Sequence, residues 1–562
     1  YYININENYM NEHLSYLVPV QWRNVNIYTL LPQIQRKTRD VDFDIFDFEI
    51  LFHDKATNDL IRKGDTIGCF YIESPGMRSL LPRLDVHSFE MLIAASSIIR
   101  PGVAESGMMH EFIARHKDPM RRKYLLKEME QYLSETYGVM VYQEDVIKIA
   151  HYVVGLSLEE ADLMRRAMSG KMRSHEAMQK IKEDFFYSCR TKGLSNYHAK
   201  ELWRQIESFA GYSFCKAHSA SFALLSYQVA YLKAHYPAEF MESVLNNGGG
   251  FYSVAVYVQE AKRMGLKIEL PCVNKSCYEY IGSGKTIGIG LMAIKNLAYN
   301  SINIILNERK KNGKYISLTD FLIRTKLGYK ETAILIKCGA MDCFNFTRPS
   351  LLRLLDIYIY RRRMHVLNYN DLFMYETFNL EKEVVSKTDY TIEERCRIEY
   401  EIFGYMVTRH PLYFFGDWIN SLSVIMAEEM QKYRGKNVKM VGWYMTSKRI
   451  KTRKGKIMKF LSLEDLTGTF EAIIFPTVYY RVADKTMSMG PYLIEGQIDK
   501  EPGTKNIIVS NLEVLSSVMV KASARQDIVE NKYYGDIEKV SEEELAIVQS
   551  LGKERLKQAY AC

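Results

Sequence analysis

No CxxC pair occurs anywhere in the 562 residues, which removes the usual paired ligands of a zinc knuckle and the motif of a thiol–disulfide enzyme. The nine cysteines are scattered. Cys338 and Cys343 are close but lack a second ligand pair, so the expectation is reduced, buried thiols in a cytoplasmic protein. No apolar run reaches the roughly 18 to 20 residues that span a bilayer, and no charged-then-apolar leader opens the chain, so no membrane partner is expected. Neither charge sign dominates: 75 Lys and Arg against 67 Asp and Glu leave a net charge of +8, which permits a polyanionic partner without demanding one. A phosphate-binding loop is lacking too, because "GSGKT" at 282–286 has Glu279 where that loop needs glycine, and the stretch reads as a turn.

What is present is the composition of a folded chain, 47% apolar and 25% charged, which excludes disorder and fibre. The length implies roughly three or four units of about 100 to 200 residues each. Residues 1–40 show no clear period, whereas up to about residue 245 the pattern is helical and rich in Met and Tyr, until "NNGGGF" at 246–251 breaks it. Short helical segments with glycine turns follow to about 360. From 436 to 515 the period falls to two: Val438, Met440 and Gly442 alternate with polar neighbours, as do Phe470, Ala472 and Ile474. This predicts a small all-β unit. A tail with Ser541 and Glu544 at capping-box spacing predicts amphipathic helix.

Two stretches gather cations near helix ends. "GLSLEEADLMRRAMSGK" has Ser157 and Glu160 at capping-box spacing, Ala161, Met164 and Met168 on one stripe, and Arg165, Arg166 and Lys171 off it. These cations either ride solvated on the negative end of the helix dipole or form a phosphate-binding wall, a task suited to the planar fork of arginine. "GYSFCKAHSASFALLSYQVAYLKAHYP" predicts a buried helix over Phe222–Tyr236, capped by Ser219, with Lys216 and His218 just ahead of its amino end. His218 alone fits a structural histidine as well as a ligand contact. With Arg100, which precedes a Pro-Gly turn in "SIIRPGVAESGMM", the set points to a polyphosphate site.

"GDTIGCFYIESPGMRSLL", "AASSIIRPGVAESGMMHEFIARH", "TYGVMVYQEDVIKIAHYVVGLSLEEADLMRRAMSGK" and "FAGYSFCKAHSASFALLSYQVAYLKAHYPAEFM" follow in that order and closely resemble the fingers region of the C-family replicative DNA polymerases, the bacterial DNA polymerase III alpha subunits. "IGIGLMAIKNL" and "LIKCGAMDCF" resemble that family's helix-hairpin-helix and clamp-binding region, "EIFGYMVTRHPL" its connector, and 436–515 its OB domain. The resemblance implies a multidomain, mainly α chain followed by a small all-β OB barrel and a short helical tail. Its units would be a remnant leading out of a palm domain over 1–50, fingers over 51–250, a helix-hairpin-helix and clamp-binding region over 251–375, a connector over 376–430, an OB domain over 431–520 and the tail over 521–562.

The resemblance also implies template-directed nucleotidyl transfer from a deoxynucleoside triphosphate to a primer 3′ end. Arg165, Arg166, Lys216 and His218, with Arg100 and Lys171 behind them, would then face the triphosphate. Such transfer needs divalent metal held by carboxylates. The family holds Mg2+ with aspartates of a palm that precedes the fingers, so no catalytic or metal-binding residue is expected here and the chain alone is expected to be inactive. "DVDFDIFDF" at 40–48, with Asp40, Asp42 and Asp44, matches a non-catalytic stretch of the family. In "AIKNLAYN" the family's hairpin glycines are replaced by Asn296 and Ala298. "YNDLF" at 369–373 resembles a sliding-clamp peptide with Tyr369 in place of glutamine, making Asp371, Leu372 and Phe373 the candidate clamp contacts. In the β unit, Lys448, Arg449, Lys451, Arg453, Lys454 and Lys456 share one predicted hairpin beside Trp443, Tyr444 and Phe460, the basic-plus-aromatic combination that binds single strands on OB surfaces. The implied partners are primer-template and single-stranded DNA, dNTP, a sliding clamp and other replisome subunits. The rival reading is a non-catalytic DNA-binding or clamp-tethering accessory protein derived from the polymerase.

Overall fold

The computed structural model describes residues 44–99, 107–167, 175–210, 215–248, 250–365, 388–452 and 454–515. The chain divides into two compact units, one of residues 42–235 with 501–504 and the other of the remainder.

The first unit is helical, and its helices begin where short polar side chains can take up the free N–H groups of a first turn. Helix α1 (Lys55–Lys63) is capped by Asp54 and ends at Gly64, whose φ of +71° and close approach to the Arg78 carbonyl leave no room for a side chain. Helix α2 (Phe89–Ile98) is capped by Ser88 and buried from Leu92 onward. Helix α3 (Gln143–Lys148) runs into a π turn over Ile149–Val154. Helix α4 (Leu158–Arg166) carries both halves of its capping box: the Glu160 N–H donates to Ser157 Oγ at 3.2 Å, and the Ser157 N–H donates to Glu160 Oε2 at 2.8 Å. Its Ala161 and Met164 are fully buried, packing with Val146, Phe185, Leu202 and Trp203 across α5 (His175–Thr191) and α6 (Asn196–Ala210).

Helix α7 (Lys216–His235) starts six residues before the predicted Phe222. Ser219 therefore lies inside the helix and does not cap it: its buried hydroxyl meets Ser97 Oγ of α2 at 2.7 Å. Burial of α7 extends even to polar groups, each of which finds a partner, as buried polar groups must. Ser226 Oγ donates to the Phe70 carbonyl at 3.0 Å, and Lys233 Nζ donates to the carbonyls of Asp65 and Ile67 at 2.7 and 2.8 Å.

The second unit opens with α8 (Pro237–Asn247) and α9 (Val254–Arg263), then a small sheet of β1 (Lys267–Glu269), β2 (Ile281–Ser283) and β3 (Thr286–Gly288) in the order β1-β3-β2. "GSGKT" is the turn between β2 and β3, with Gly284 at φ +59°. Helices α10 (Tyr299–Asn312), α11 (Leu318–Thr325), α12 (Tyr329–Lys337) and α13 (Arg348–His365) follow. At the turn into α10, Asn296 takes φ +63°, the left-handed conformation that asparagine tolerates better than most residues. Ala298 sits at an ordinary φ of −66°.

Helix α14 (Ile392–Phe403) and the following connector fold around the buried Glu399, whose carboxylate accepts the N–H groups of Val407 and Thr408, each at 2.8 Å. Five strands then close a barrel in the order β4-β5-β6-β8-β7: β4 (Asn437–Lys451), β5 (Ile457–Glu464), β6 (Thr469–Ile474), β7 (Tyr492–Ile498) and β8 (Asn506–Val514). The period-two residues Met440, Gly442, Phe470, Ala472 and Ile474 are buried, whereas Val438 is half-buried. Val441, on the opposite face of β4, is buried as well, because Leu412, Phe415, Ile419 and Leu515 cover that face. Among the described residues the chain is mainly α, and its last elements form a small closed β barrel. The predicted helical tail over 521–562 lies outside the described residues.

Candidate functional site

Two of the cation-bearing segments meet at the start of α3. Arg165, in the last turn of α4, donates from Nε to Asp162 Oδ1 at 2.8 Å, with Nη2 standing 2.7 Å from the same oxygen, and donates from Nη1 to Gln143 Oε1 at 2.9 Å. Arg166 places Nη2 2.6 Å from the other oxygen of the same carboxylate. The hydrogen bond from Arg165 and the two guanidinium charges hold the Asp162 carboxyl below its ordinary range.

Lys216 begins α7. Its backbone N–H donates to the Glu144 carboxylate at 3.0 and 3.2 Å, its Nζ lies 2.6 Å from Glu135 Oε2, and the ammonium stands 5.4 Å from the centroid of the Tyr142 ring. The helix therefore starts at Lys216, and a carboxylate of the chain itself already sits on its positive end. The adjacent residues Gln143 and Glu144 thus hold the two cation-bearing helices. Their own turn is fixed by Asp145, which is buried, accepts the N–H groups of Val141 and Tyr142 at 2.9 Å each, and has its pKa pushed up to about 7 by burial.

His218 is exposed and meets the Phe222 ring edge-to-face at 4.4 Å, while Phe222 stacks on Tyr71 at 4.8 Å. Arg100 and Lys171 lie outside the described residues. The structure thus gathers Arg165, Arg166 and Lys216 around α3, with His218 half a turn along α7. Gln143, Glu144, Asp162 and Glu135 were not singled out from the sequence. Gln143 and Glu144 lie inside "VYQEDV", but nothing local marks them as anchors for residues so distant in the chain.

These ion pairs are partly exposed, with side-chain exposures from 18% at Arg165 to 69% at Glu135. Pairs of that kind are worth about 0–1 kcal/mol. Phosphate oxygens, gripped bidentately by a guanidinium, are stronger acceptors, so the cations can exchange carboxylate for phosphate. Among the described residues no group of three or more His, Cys, Asp or Glu could hold a metal ion. Asp44 accepts the N–H of Phe46 at 2.9 Å and Asp47 caps the following turn, while Asp40 and Asp42 lie outside the described residues.

The barrel carries the second candidate surface. Lys448, Arg449 and Lys451 lie on β4, and Lys454 and Lys456 on the turn to β5, where Thr452 N–H donates to the Lys456 carbonyl at 2.8 Å. The four lysines are exposed and Arg449 is half-buried. Register pairs Lys448 with Phe460 and Arg449 with the buried Lys459, so cation and half-exposed aromatic ring stand side by side at one cross-strand pair. Tyr444 packs against the barrel core and donates its hydroxyl to Ser447 Oγ at 3.2 Å, whereas Trp443 packs on the Leu412–Phe415–Ile419 cluster. Arg453 and the stretch Asp371, Leu372 and Phe373 lie outside the described residues.

Three family models match along the chain: the bacterial DNA polymerase III alpha subunit finger domain over residues 26–193, a helix-hairpin-helix motif over 265–351 and an OB-fold nucleic acid binding domain over 438–515. DNA polymerase III subunit alpha of Staphylococcus aureus (strain COL) is 30% identical over 522 residues, covering 91% of this chain and 47% of the relative. The corresponding subunit of Staphylococcus epidermidis is 30% identical over 517 residues, 90% of this chain and 47% of the relative. The chain thus spans about half the length of the curated relatives it matches. No helix among the described residues is long and apolar enough to cross a membrane. With fingers, helix-hairpin-helix and OB matches in order along a helical unit and a closed barrel, the chain is similar to the carboxy-terminal part of the bacterial DNA polymerase III alpha subunit, from the fingers onward.

Proposed function

We propose that this chain is the nucleotide-gripping and DNA-holding part of a DNA-directed DNA polymerase that works in the cytoplasm. The observation that carries the reading is the anchoring of Arg165 and Lys216 to consecutive residues, Gln143 and Glu144. This arrangement holds the Arg165 guanidinium and the backbone that carries Lys216 on one turn, and a triphosphate is the anion that rewards two cations brought together in this way. On arrival, the phosphates take the places of Asp162 and Glu135 on the guanidinium and ammonium groups. Arg166, paired with the same Asp162, and His218, two residues along α7, join the grip, and Arg100 and Lys171 complete the set.

The metal chemistry of nucleotidyl transfer belongs to Mg2+ held by palm aspartates outside this chain, and the chain by itself joins no nucleotides. The barrel hairpin with Lys448, Arg449, Lys451, Lys454 and Lys456 holds single-stranded DNA, while Asp371, Leu372 and Phe373 contact a sliding clamp within a replisome.

The test is primer extension by the purified chain with labelled primer-template, four deoxynucleotides and Mg2+, beside anisotropy titration of the same DNA and equilibrium dialysis with a radiolabelled dNTP. DNA and dNTP binding without extension is the expected result. Extension would overturn the assignment of the metal site to another domain. DNA binding with no dNTP binding would replace the reading with that of an accessory DNA-binding protein.

A further inference from the structure

Three of the cysteines cluster in the stretch that precedes α13. Cys272 lies in the loop after β1, Cys277 five residues on, and Cys343 on the turn after α12. The expectation of buried thiols fails here, since Cys277 and Cys343 are exposed and Cys272 is half-buried. The two segments are laced together. The Val273 N–H donates to the Ala340 carbonyl at 2.8 Å, and the Asn274 side chain donates to the Tyr315 carbonyl at 2.8 Å while standing 3.6 Å from Cys343 Sγ. Within that frame the sulfurs of Cys343 and Cys272 are interacting neighbours.

We propose that Cys272 and Cys343 form a dithiol that hydrogen peroxide oxidises to a disulfide, which thiol reductants return to the dithiol. The chemistry follows from the contact. The Cys272 thiolate attacks one oxygen of the peroxide, the O–O bond breaks, and a sulfenic acid forms with release of hydroxide, which is protonated to water. Cys343 then attacks the sulfenic sulfur, the S–O bond breaks, and a second water leaves as the S–S bond closes. Two thiols are oxidised and one peroxide is reduced to two waters.

The surroundings favour Cys272 as the attacking group. The interaction with Cys343, set against burial and joined by the N–H groups of Asn274 and Lys275 and the Lys275 charge, holds the Cys272 thiol below its ordinary range. Cys343 is pushed upward by the same contact, which makes it the proton-bearing partner. Three buried thiols have the opposite character: burial drives Cys189 and Cys396 up to about 11 and Cys338 up to about 12. Cys277 shares the exposure but not the partner, and so serves as an internal control.

The experiment treats the whole chain with a slight excess of hydrogen peroxide, quenches with catalase, alkylates the remaining thiols under denaturing conditions and maps the peptides by mass spectrometry. The expected product is a Cys272–Cys343 cross-linked peptide that dithiothreitol resolves, formed before any modification of Cys277. C277S should leave the cross-link intact. C343S, at an exposed position that leaves packing undisturbed, should abolish it and should slow Cys272 oxidation. Oxidation of Cys277 with Cys272 and Cys343 still alkylatable would overturn the proposal. So would a Cys277–Cys343 link, or sulfinic acid at Cys343 without a disulfide.

Discussion

Arg165 makes two hydrogen bonds to two different side chains, Asp162 and Gln143, and a second close ion-pair contact with Asp162, a geometry that a guanidinium satisfies and an ammonium does not. Arg165→Lys should keep the charge and lose the fork, lowering dNTP affinity about tenfold, the effect of losing one charge-assisted hydrogen bond of roughly 1.5 kcal/mol. Equilibrium dialysis with the whole chain reads this directly, and an unchanged affinity would remove Arg165 from the grip. Lys459 shows the opposite use of a cation. It is buried on β5 and donates to the Thr486 carbonyl and hydroxyl at 3.0 and 3.1 Å, and burial, with the charge of Arg449 second, brings its pKa down to about 8. Its unfolded value is about 10.4. Between those two values the unfolded state binds more protons than the folded state, so barrel stability rises with pH, by about 3 kcal/mol over the window, and is flat below it. Lys459→Met should remove that rise. Amide-exchange protection of β4–β8 measured from pH 7 to 10 checks the slope, and a parallel rise in the variant would refute the assignment.

At the scale of elements, local rules account for many of the ends and tertiary packing for the rest. The Ser157–Glu160 capping box and the alternation in β6 are local and form as the sequence predicts. Helix α7 begins earlier than predicted because Glu144, far away in sequence, supplies the acceptor that a local cap would otherwise provide. The barrel closes only because Gly442 lets β4 approach its neighbours: a Cβ there would stand 2.8 Å from both the Leu463 Cβ and the Phe470 Cζ. Gly442→Ala should therefore overpack the barrel and destabilise it by about 1–3 kcal/mol. Amide exchange in β4–β8 should accelerate while α1–α7 keep their protection, and an unchanged barrel would show that the interior can yield.

Across the whole molecule the charge is close to balanced, +8 in 562 residues, so DNA affinity depends on where cations collect. If the barrel hairpin holds single strands, log affinity should fall linearly with log salt. Neutralising Lys448, Lys451, Lys454 and Lys456 should then reduce the slope by about 0.7 for each phosphate left without its cation. Anisotropy titrations of an oligo(dT) probe at several salt concentrations measure this. An unaltered slope would assign DNA binding to other cations of the chain. The same variants should leave dNTP binding unchanged, because Arg165 and Lys216 belong to the other compact unit.

The sequence by itself determined the mainly helical character, the β unit, the capping of α4, the reading of "GSGKT" as a turn and the identity of the cations worth following. Each of these rests on spacing within a few residues, where backbone geometry decides which side chains share a face. Only the tertiary structure decided that Gln143 and Glu144 anchor Arg165 and Lys216, that Ser219 bonds Ser97 and caps nothing, that Tyr444 serves the barrel core, and that Cys343 rests on Cys272. Such pairings leave no periodic trace, because they join residues whose separation along the chain is set by everything folded in between.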